Sequence, residues 1–249
     1  MSLKSAVGHR LRAHPKLYHR LRRWYLKLHQ RLRPLHVEIH RALQQRPAVF
    51  FVQVGSNDGA QGDPIHRLVH RHPHWRGIFI EPVPFLFERL KTNYPDGERF
   101  VFENVAIGEQ RGHALFHYVS ERAQAALGDR LPYWYDQLGS FDRHHIVKHL
   151  DGLLEPYIVD VELPCVPIQD ILDRNAVARI DLLHIDTEGY DYEVLRQFDF
   201  ARYQPTVVLY EHKHLKPAVR QQAHRLLLGH GYQLHVRLDD TLAIRPARR

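Results

Sequence analysis

Short apolar runs alternate along the chain with segments in which apolar residues recur every three or four positions. Runs rich in β-branched and aromatic residues predict strands at 48–54, 77–80, 99–106, 113–119, 158–167, 181–185, 206–210, 232–236 and 241–245. Helical periodicity predicts helices at 64–71, 84–93, 168–174, 190–198 and 216–228. Because the core runs are apolar on both faces, we expect an α/β sandwich with a mostly parallel sheet and a C-terminal antiparallel hairpin.

The segment 120–156 interrupts this alternation. It holds small residues, Trp134 between two tyrosines, and a Gly-Ser-Phe-Asp-Arg-His-His run. Long excursions within a compact domain are usually functional. We therefore interpret this segment as an insertion that covers the active-site face as a lid. The lid residues expected to meet a substrate are Ser140, His144, His145 and Trp134.

The N-terminal residues 1–46 form a basic amphipathic arm. Apolar positions from Leu17 to Ile39 follow helical spacing, and Pro34 predicts a break between two helices. The arm contains 12 Lys and Arg against the single acid Glu38, whereas the rest of the chain is mildly acidic. Three interpretations stay open: a docked helix with a solvated basic face, adsorption to an anionic membrane surface, and contact with RNA. The acidic body argues against nucleic acid as the partner.

The composition limits the class of protein further. A chain of 249 residues suits one domain, here 47–249, with the arm as an appendage. It contains no run of 18 apolar residues that would predict a membrane-spanning helix, and the arm lacks the apolar stretch of a secretory signal. The single cysteine, Cys165, excludes a disulfide framework and a Cys-rich zinc site. We expect a cytoplasmic protein, peripheral at the inner membrane surface if the arm binds lipid.

Polar or small residues follow five of the predicted strands, at the point where each strand ends. They are the turn Gly55-Ser56-Asn57-Asp58-Gly59, then Glu81, then Asn104 and Ala106, then Asp186 and Glu188, then Glu211 and His212. In open parallel sheets, ligands bind beyond the carboxyl ends of the strands. We therefore expect these residues to form one site.

The turn from Gly55 to Gly59 restricts the ligand. Its spacing matches neither a nucleoside-triphosphate loop nor a dinucleotide pyrophosphate loop. Asp58 within the turn would repel phosphate and attract a cation, and Glu81 suits the two hydroxyls of a ribose. A ribose with an ammonium group and no phosphate is the description of S-adenosylmethionine.

Four motifs resemble those of FkbM-type methyltransferases. They are Val-Gly-Ser-Asn-Asp-Gly at 54–59, Ile-Glu-Pro at 80–82, Asn-Val-Ala-Ile-Gly at 104–108 and Ile-Asp-Thr-Glu-Gly-Tyr-Asp-Tyr-Glu-Val-Leu at 185–195. The resemblance implies a Rossmann-like class I methyltransferase with a seven-stranded sheet. It also implies an enzyme that transfers a methyl group from S-adenosylmethionine to a hydroxyl of a saccharide, a lipid-linked compound or a secondary metabolite. His184 departs from the family, which commonly has Lys at that position.

The same resemblance implies a donor site. The residues expected to contact the donor are Gln53, Gly55, Ser56, Asn57, Asp58, Gly59, Glu81, Pro82, Asn104, Ala106 and Asp186. The glycine turn would line the methionine moiety, Glu81 would hold the ribose, and Asn104 and Ala106 would lie beside the adenine.

Methyl transfer to an alcohol needs a general base, because the oxygen is a poor nucleophile until its proton leaves. The candidates are Asp186, Glu188 and His212, with His144 and His145 from the lid. Asp186, Glu188, Glu211 and His212 would alternatively hold a divalent metal ion, which we do not favour, or cap the following helix.

Two other functions stay open at this point. One is a nucleic-acid methyltransferase that uses the arm as a clamp, although no Asn/Asp-Pro-Pro-Tyr motif follows the strand 181–185. The other is a non-catalytic adenosyl-binding protein at a membrane.

Overall fold

The computed structural model describes residues 34–246. The first arm helix, and with it the membrane and RNA interpretations of the arm, fall on residues 1–33, which lie outside this range. The helix predicted after Pro34 is present, and it begins at the next residue.

A seven-stranded sheet forms the centre of the described chain. The strands are β1 (Val49–Val54), β2 (Trp75–Ile80), β3 (Phe100–Glu103), β4 (Ala106–Ile107), β5 (Gly112–Val119), β6 (Ile158–Val166), β7 (Leu182–Ile185), β8 (Val207–Glu211), β9 (Gln233–Val236) and β10 (Asp240–Ile244). The main sheet has the order β3-β2-β1-β7-β8-β10-β9. Six of its strands run in the same direction, and β10 runs opposite to them. The predicted α/β class, parallel sheet and C-terminal hairpin are confirmed.

Helices cover both faces of this sheet. In chain order, the α-helices of the described residues are α1 (Leu35–Leu43), α2 (His66–Arg71), α3 (Pro84–Asn93), α4 (Arg122–Leu127), α5 (Arg143–Val147), α6 (Ile168–Arg174), α7 (Asp191–Gln197) and α8 (Pro217–Gly229). Of these, α4 and α5 lie in the insertion and contribute to its own core. Val52 and Val54 of β1 face a core shared with α6, α7 and α8. Val49 and Phe51, the alternate positions, face a second core shared with α1, α2 and α3. Alternate side chains of a strand point to opposite faces, and a core lies against each face of β1. Both sets of alternate positions in β1 are therefore apolar.

The described end of the arm is part of the second core. Ile39 and Leu43 of α1 are buried against the sheet. On the same helix, buried Glu38 pairs with buried Arg237, which follows β9. For residues 34–46, the docked-helix interpretation therefore describes the structure.

A second, three-stranded sheet accounts for the predicted strand 113–119 and the extended stretch 158–167. Its order is β4-β6-β5, with β5 and β6 antiparallel. The predicted strand 99–106 is divided between the two sheets. The division lies at Asn104, whose side-chain amide donates to the carbonyls of Glu81 and Pro82, at 2.8 and 3.1 Å.

The segment predicted as a lid has its own small core. Val119, Tyr135, Leu138 and Ile146 are among the buried residues that build it. Gln137 donates to the carbonyl of Gln61 at 2.9 Å, which ties the segment to the loop after β1. Among residues 34–246, no helix has the length and apolar character needed to cross a membrane.

Candidate active site

The carboxyl ends of β1 and β7 meet at the point where the chain reverses its direction across the sheet. The chain passes from β1 outward to β2 and β3, and then returns to β7 on the other side of β1. The backbone N–H of Asp186 donates to the carbonyl of Val54 at 2.9 Å. A topological switch point of this kind is where open α/β sheets bind ligands.

The turn after β1 keeps its shape through contacts with its surroundings. Ser56 Oγ donates to the carbonyl of Gln53 and accepts from the N–H of Ile80, both at 3.2 Å, which joins β1 to β2. Asn57 has a left-handed backbone, with φ of 48°. Its N–H donates to Glu81 Oε2 at 2.7 Å.

Asp58 and Gly59, which were predicted to line the methionine moiety, are used in building the turn. Asp58 Oδ1 accepts from the N–H groups of Ala60 and Gln61, both at 2.9 Å. The carbonyl of Gly59 accepts from the Tyr94 hydroxyl at 2.7 Å. The carboxylate of Asp58 therefore stabilises its own turn, and, besides burial, its charge also raises the pKa of the nearby carboxyl groups of Glu81 and Asp63.

Glu81 stands at the carboxyl end of β2, where a ribose-binding carboxylate is expected. Its side chain is buried, and its Oε1 accepts from the N–H of Val83 at 2.9 Å. Burial raises the pKa of Glu81 to about 7 despite the two amide hydrogen bonds that favour its charged form. The group is therefore poised to gain or lose its proton near neutral pH.

An apolar pocket opens beside Glu81, and its cavity volume is about 40 Å³. Its walls are Val54, Gly55, Asn57, Ile80, Glu81, Pro82, Val105, Ala106, Ile107, Phe116, Gln137, Gly139, Asp186, Thr187 and Glu188. Small-molecule pockets are lined mainly by apolar groups with a few polar groups that fix orientation. The pocket thus brings together the predicted donor contacts Gly55, Asn57, Glu81, Pro82, Ala106 and Asp186. Asn104 supports the wall through the hydrogen bonds of its side-chain amide to the backbone carbonyls of Glu81 and Pro82.

A second, acidic pocket adjoins the first. Its lining includes Gln53, Ser56, Gln61, Asp63, Tyr133, Trp134, His149, His184, Asp186, Glu188, Glu211, Lys213, Asp239 and Asp240. Burial raises the pKa of Asp63 and of Asp240 to about 7, and burial with the charge of Asp186 raises that of Glu211 to about 11. A cation favours the ionised form of nearby carboxyl groups, so this pocket suits a positively charged ligand.

Asp186 and Glu188 line both pockets and mark their junction. Burial and the charge of Glu188 raise the pKa of Asp186 well above its usual range. Within residues 34–246, no hydrogen bond reaches the carboxylate of Asp186. Glu188 differs, because its Oε2 lies 2.9 Å from Nε2 of His145.

His212, predicted as a base or metal ligand, lies away from the cleft. It is 1% exposed, and its Nδ1 lies 2.9 Å from the Thr241 hydroxyl. Its backbone N–H donates to the carbonyl of Asp239, which continues the pairing of β8 with β10. Side chains alternate between the faces of a strand, so Glu211 faces the cleft and His212 faces the opposite side.

His214, which the sequence analysis missed, contacts the carboxylates instead. Its Nε2 lies 3.2 Å from Glu188 Oε2 and 3.6 Å from Glu211 Oε2. Burial lowers its pKa to about 3. The signal that could have found it is its place two residues beyond His212, past the end of the strand.

The predicted lid residues have different surroundings. His145 is buried against Glu188, whereas His144 is exposed on the same short helix. Trp134 lines the acidic pocket and contacts the His149 ring edge-on. Ser140 is buried and pairs through its backbone with His117 in β5, so it supports the segment from behind.

Several solved structures resemble this fold. A precorrin-6y C5,15-methyltransferase from Geobacter metallireducens GS-15 matches with a TM-score of 0.44 and 9% identity, over 85% of this chain and 87% of that chain. A human methyltransferase 10 domain containing protein matches with a TM-score of 0.41 and 10% identity, over 85% and 82%. No curated protein matches the sequence.

The sequence itself assigns the family. The model of the methyltransferase FkbM domain matches residues 53–234. This range includes the glycine turn, Glu81, and the carboxylates at the ends of β7 and β8. The match covers more than half of the chain, so the protein belongs to the FkbM methyltransferase family and is an S-adenosylmethionine-dependent methyltransferase.

Proposed function

We propose that this enzyme methylates a hydroxyl group of a saccharide or of a similarly polyhydroxylated metabolite. The observation that carries the proposal is the position of Asp186 and Glu188, which line both the apolar and the acidic pocket. A donor held in the first pocket and an acceptor reaching in from the second would meet beside these two carboxylates.

The apolar pocket has the groups that an adenosyl ligand needs. Val105, Ala106 and Phe116 offer apolar surface for a base, and Glu81 offers an acceptor for ribose hydroxyls. S-adenosylmethionine supplies an activated methyl group on a sulfonium centre when bound. The enzyme's own part is to hold the reactants in line and to keep water out.

The acidic pocket supports a polyhydroxylated acceptor. Gln61 and Gln137 offer amides, Asp63 and Asp239 offer carboxyl groups, and Trp134 offers an indole face. Amides, carboxylates and an aromatic ring together bind hydroxyl groups and the apolar face of a sugar. The same carboxylates oppose the phosphates of a nucleic acid, which disfavours that alternative.

Asp186 is the residue that we propose as general base. Its carboxylate accepts no hydrogen bond from residues 34–246 and lies at the junction of the pockets. Burial makes a carboxylate more basic, which improves its ability to take a proton from an alcohol. Glu188 is held by His145 and is placed to orient the acceptor.

The experiment measures S-adenosylhomocysteine release from purified enzyme with carbohydrate, lipid and RNA fractions. We expect product with the carbohydrate fraction, and Asp186→Asn should lower turnover by about 100-fold while the dissociation constant for S-adenosylhomocysteine changes by less than about threefold. Asp129→Asn, in a turn of the insertion that lines neither pocket, is the matched control. Product with RNA alone, or near-normal turnover of Asp186→Asn, would contradict the proposal.

A further inference from the structure

Three histidines from two separate parts of the chain converge beside the acidic pocket. His145 belongs to α5, His149 to the turn that follows it, and His214 to the loop after β8. The ring centroids of His145 and His214 are 4.6 Å apart, and those of His145 and His149 are 4.9 Å apart. The ring of His214 thus contacts two histidines of the insertion.

Two carboxylates face the same histidines. Glu188 Oε2 lies 2.9 Å from Nε2 of His145 and 3.2 Å from Nε2 of His214. Glu211 Oε2 lies 3.6 Å from the same His214 atom. The result is a group of nitrogen and oxygen donors in which His214 occupies the middle.

The central atoms of the group have unsatisfied bonding capacity. The side chain of His214 is 9% exposed, and its Nε2 makes no hydrogen bond of good geometry to any described residue, although Glu188 Oε2 lies 3.2 Å away. Oε2 of Glu211 likewise makes no such hydrogen bond to a described residue. Buried polar atoms are nearly always paired, so two orphaned atoms that face each other indicate that a ligand belongs between them.

The donor atoms form two groups of three that share His214. One donor atom each from His145, His149 and His214 lies within 4.8 Å of the others, and so does one each from Glu188, Glu211 and His214. Ligands bound about 2.1 Å from a metal ion are separated by up to about 4.2 Å. A small inward movement of the side chains would therefore close the shell.

A backbone contact orients one of the rings. His149 Nδ1 lies 2.6 Å from the carbonyl oxygen of His145 and donates its proton there. The lone pair of a neutral ring is then on Nε2. Metal-binding histidines commonly donate their other ring N–H to a backbone carbonyl in this way, which fixes both tautomer and orientation.

We propose that His145, His149, His214 and Glu188 bind a divalent transition-metal ion, with Glu211 as a further oxygen donor. Three imidazoles favour an ion of the Mn²⁺ to Zn²⁺ series over Mg²⁺ or Ca²⁺, which prefer all-oxygen shells. The set differs from the one predicted from sequence, because it lacks Asp186, His214 replaces His212, and the insertion contributes two ligands. The bound ion would fasten the insertion to the ends of β7 and β8.

The test is a titration of the metal-free full-length enzyme, without donor or acceptor. Calorimetry with Zn²⁺ measures affinity and stoichiometry, Co²⁺ reports imidazole ligation through its visible absorption, and Mg²⁺ serves as the comparison ion. We expect one tight site for Zn²⁺ and Co²⁺ in the wild-type protein. His214→Ala and Glu188→Gln should each weaken that site by about 100-fold, as loss of a direct ligand requires.

His144→Ala is the matched control, since His144 lies next to His145 on the same helix and is exposed. It should leave the tight site intact, which separates this site from weak binding by the other histidines of the chain. Zn²⁺ should also raise the Tm of the wild-type and His144→Ala proteins but not that of His214→Ala. Equal affinity in the wild-type and both ligand variants, or an equal loss in the control, would overturn the proposal. Binding of S-adenosylhomocysteine to the same samples separates this outcome from a failure of the proposed methyl transfer.

Discussion

Gly55 lies directly against the backbone of Asp186: a Cβ atom built on Gly55 would be 1.7 Å from the carbonyl oxygen of Asp186. The two residues directly follow β1 and β7, the strands on either side of the switch point. Gly55 also has a φ of +76°, which favours glycine. The first glycine of the turn therefore allows the two strand ends to approach, and it brings the carboxylate of Asp186 to the cleft.

Gly55→Ala should accordingly lower the free energy of unfolding by at least about 3 kcal/mol, because the backbone of β7 has to move. Gly62→Ala is the matched control. Gly62 has a φ of +78°, but nothing lies within 4 Å of an added Cβ, so the cost there should be about 1 kcal/mol. Urea denaturation of the two variants measures the difference. Equal losses would show that only the backbone angle matters at Gly55.

The pKa of Glu81 predicts how donor-site binding depends on pH. Burial raises this pKa to about 7, so the carboxyl group is mostly protonated below that pH and ionised above it. A carboxylate is the stronger acceptor for ribose hydroxyls. The ionised fraction of Glu81 rises from about one tenth at about pH 6 to about nine tenths at about pH 8. The affinity for S-adenosylhomocysteine should therefore rise about tenfold over this interval.

Calorimetry with Glu81→Gln provides the control for this profile. Asp63 and Asp240 have pKa values of about 7 as well, and both remain in the variant. The difference between the wild-type and variant profiles thus isolates Glu81. Parallel profiles would assign the pH dependence to the acidic pocket instead.

The sequence predicted the sheet well because its signals are local. Each buried strand is a mainly apolar run, and the residues after it, such as Gly55, Glu81 and Asp186, meet at one edge by the rules of parallel sheets. The assignment of Asp58 to the methionine moiety, made from its charge and from the family motif, stays a prediction. The two hydrogen bonds of Asp58 to the amides of Ala60 and Gln61 depend on the detailed course of the turn, which residue types do not determine.

The histidine cluster could not be predicted in the same way. His145 and His214 are separated by 68 intervening residues, and only the folding of the insertion onto the sheet brings them together. His212 was chosen because it adjoins Glu211 in sequence. The pairing of β8 with β10 extends past Glu211, so neighbouring residues there face opposite sides.

Of the three interpretations of the basic arm, we propose adsorption to anionic membranes for testing, and the structure shows where to shorten the chain for the test. Removal of residues 1–46 would also remove Ile39 and Leu43 from the core. A chain that begins at Pro34 loses most of the arm's basic residues and retains α1. We expect the full chain, but not the shortened one, to sediment with vesicles that contain phosphatidylserine, and high salt should release it. Equal sedimentation of both chains would assign any membrane contact to the domain.

The buried pair of Glu38 and Arg237 joins α1 to the end of β9 and should contribute strongly to stability. Glu38→Ala removes the carboxylate that faces a buried guanidinium, and we expect a loss of about 3–5 kcal/mol in urea denaturation. Replacing both residues by Met should recover most of this loss, because neither charge then stays buried. Glu88→Ala is the control: Glu88 forms an exposed pair with Lys91 at 3.1 Å, and its removal should cost less than about 1 kcal/mol. If Glu38→Ala cost no more than Glu88→Ala, packing of Ile39 and Leu43 alone would anchor the helix.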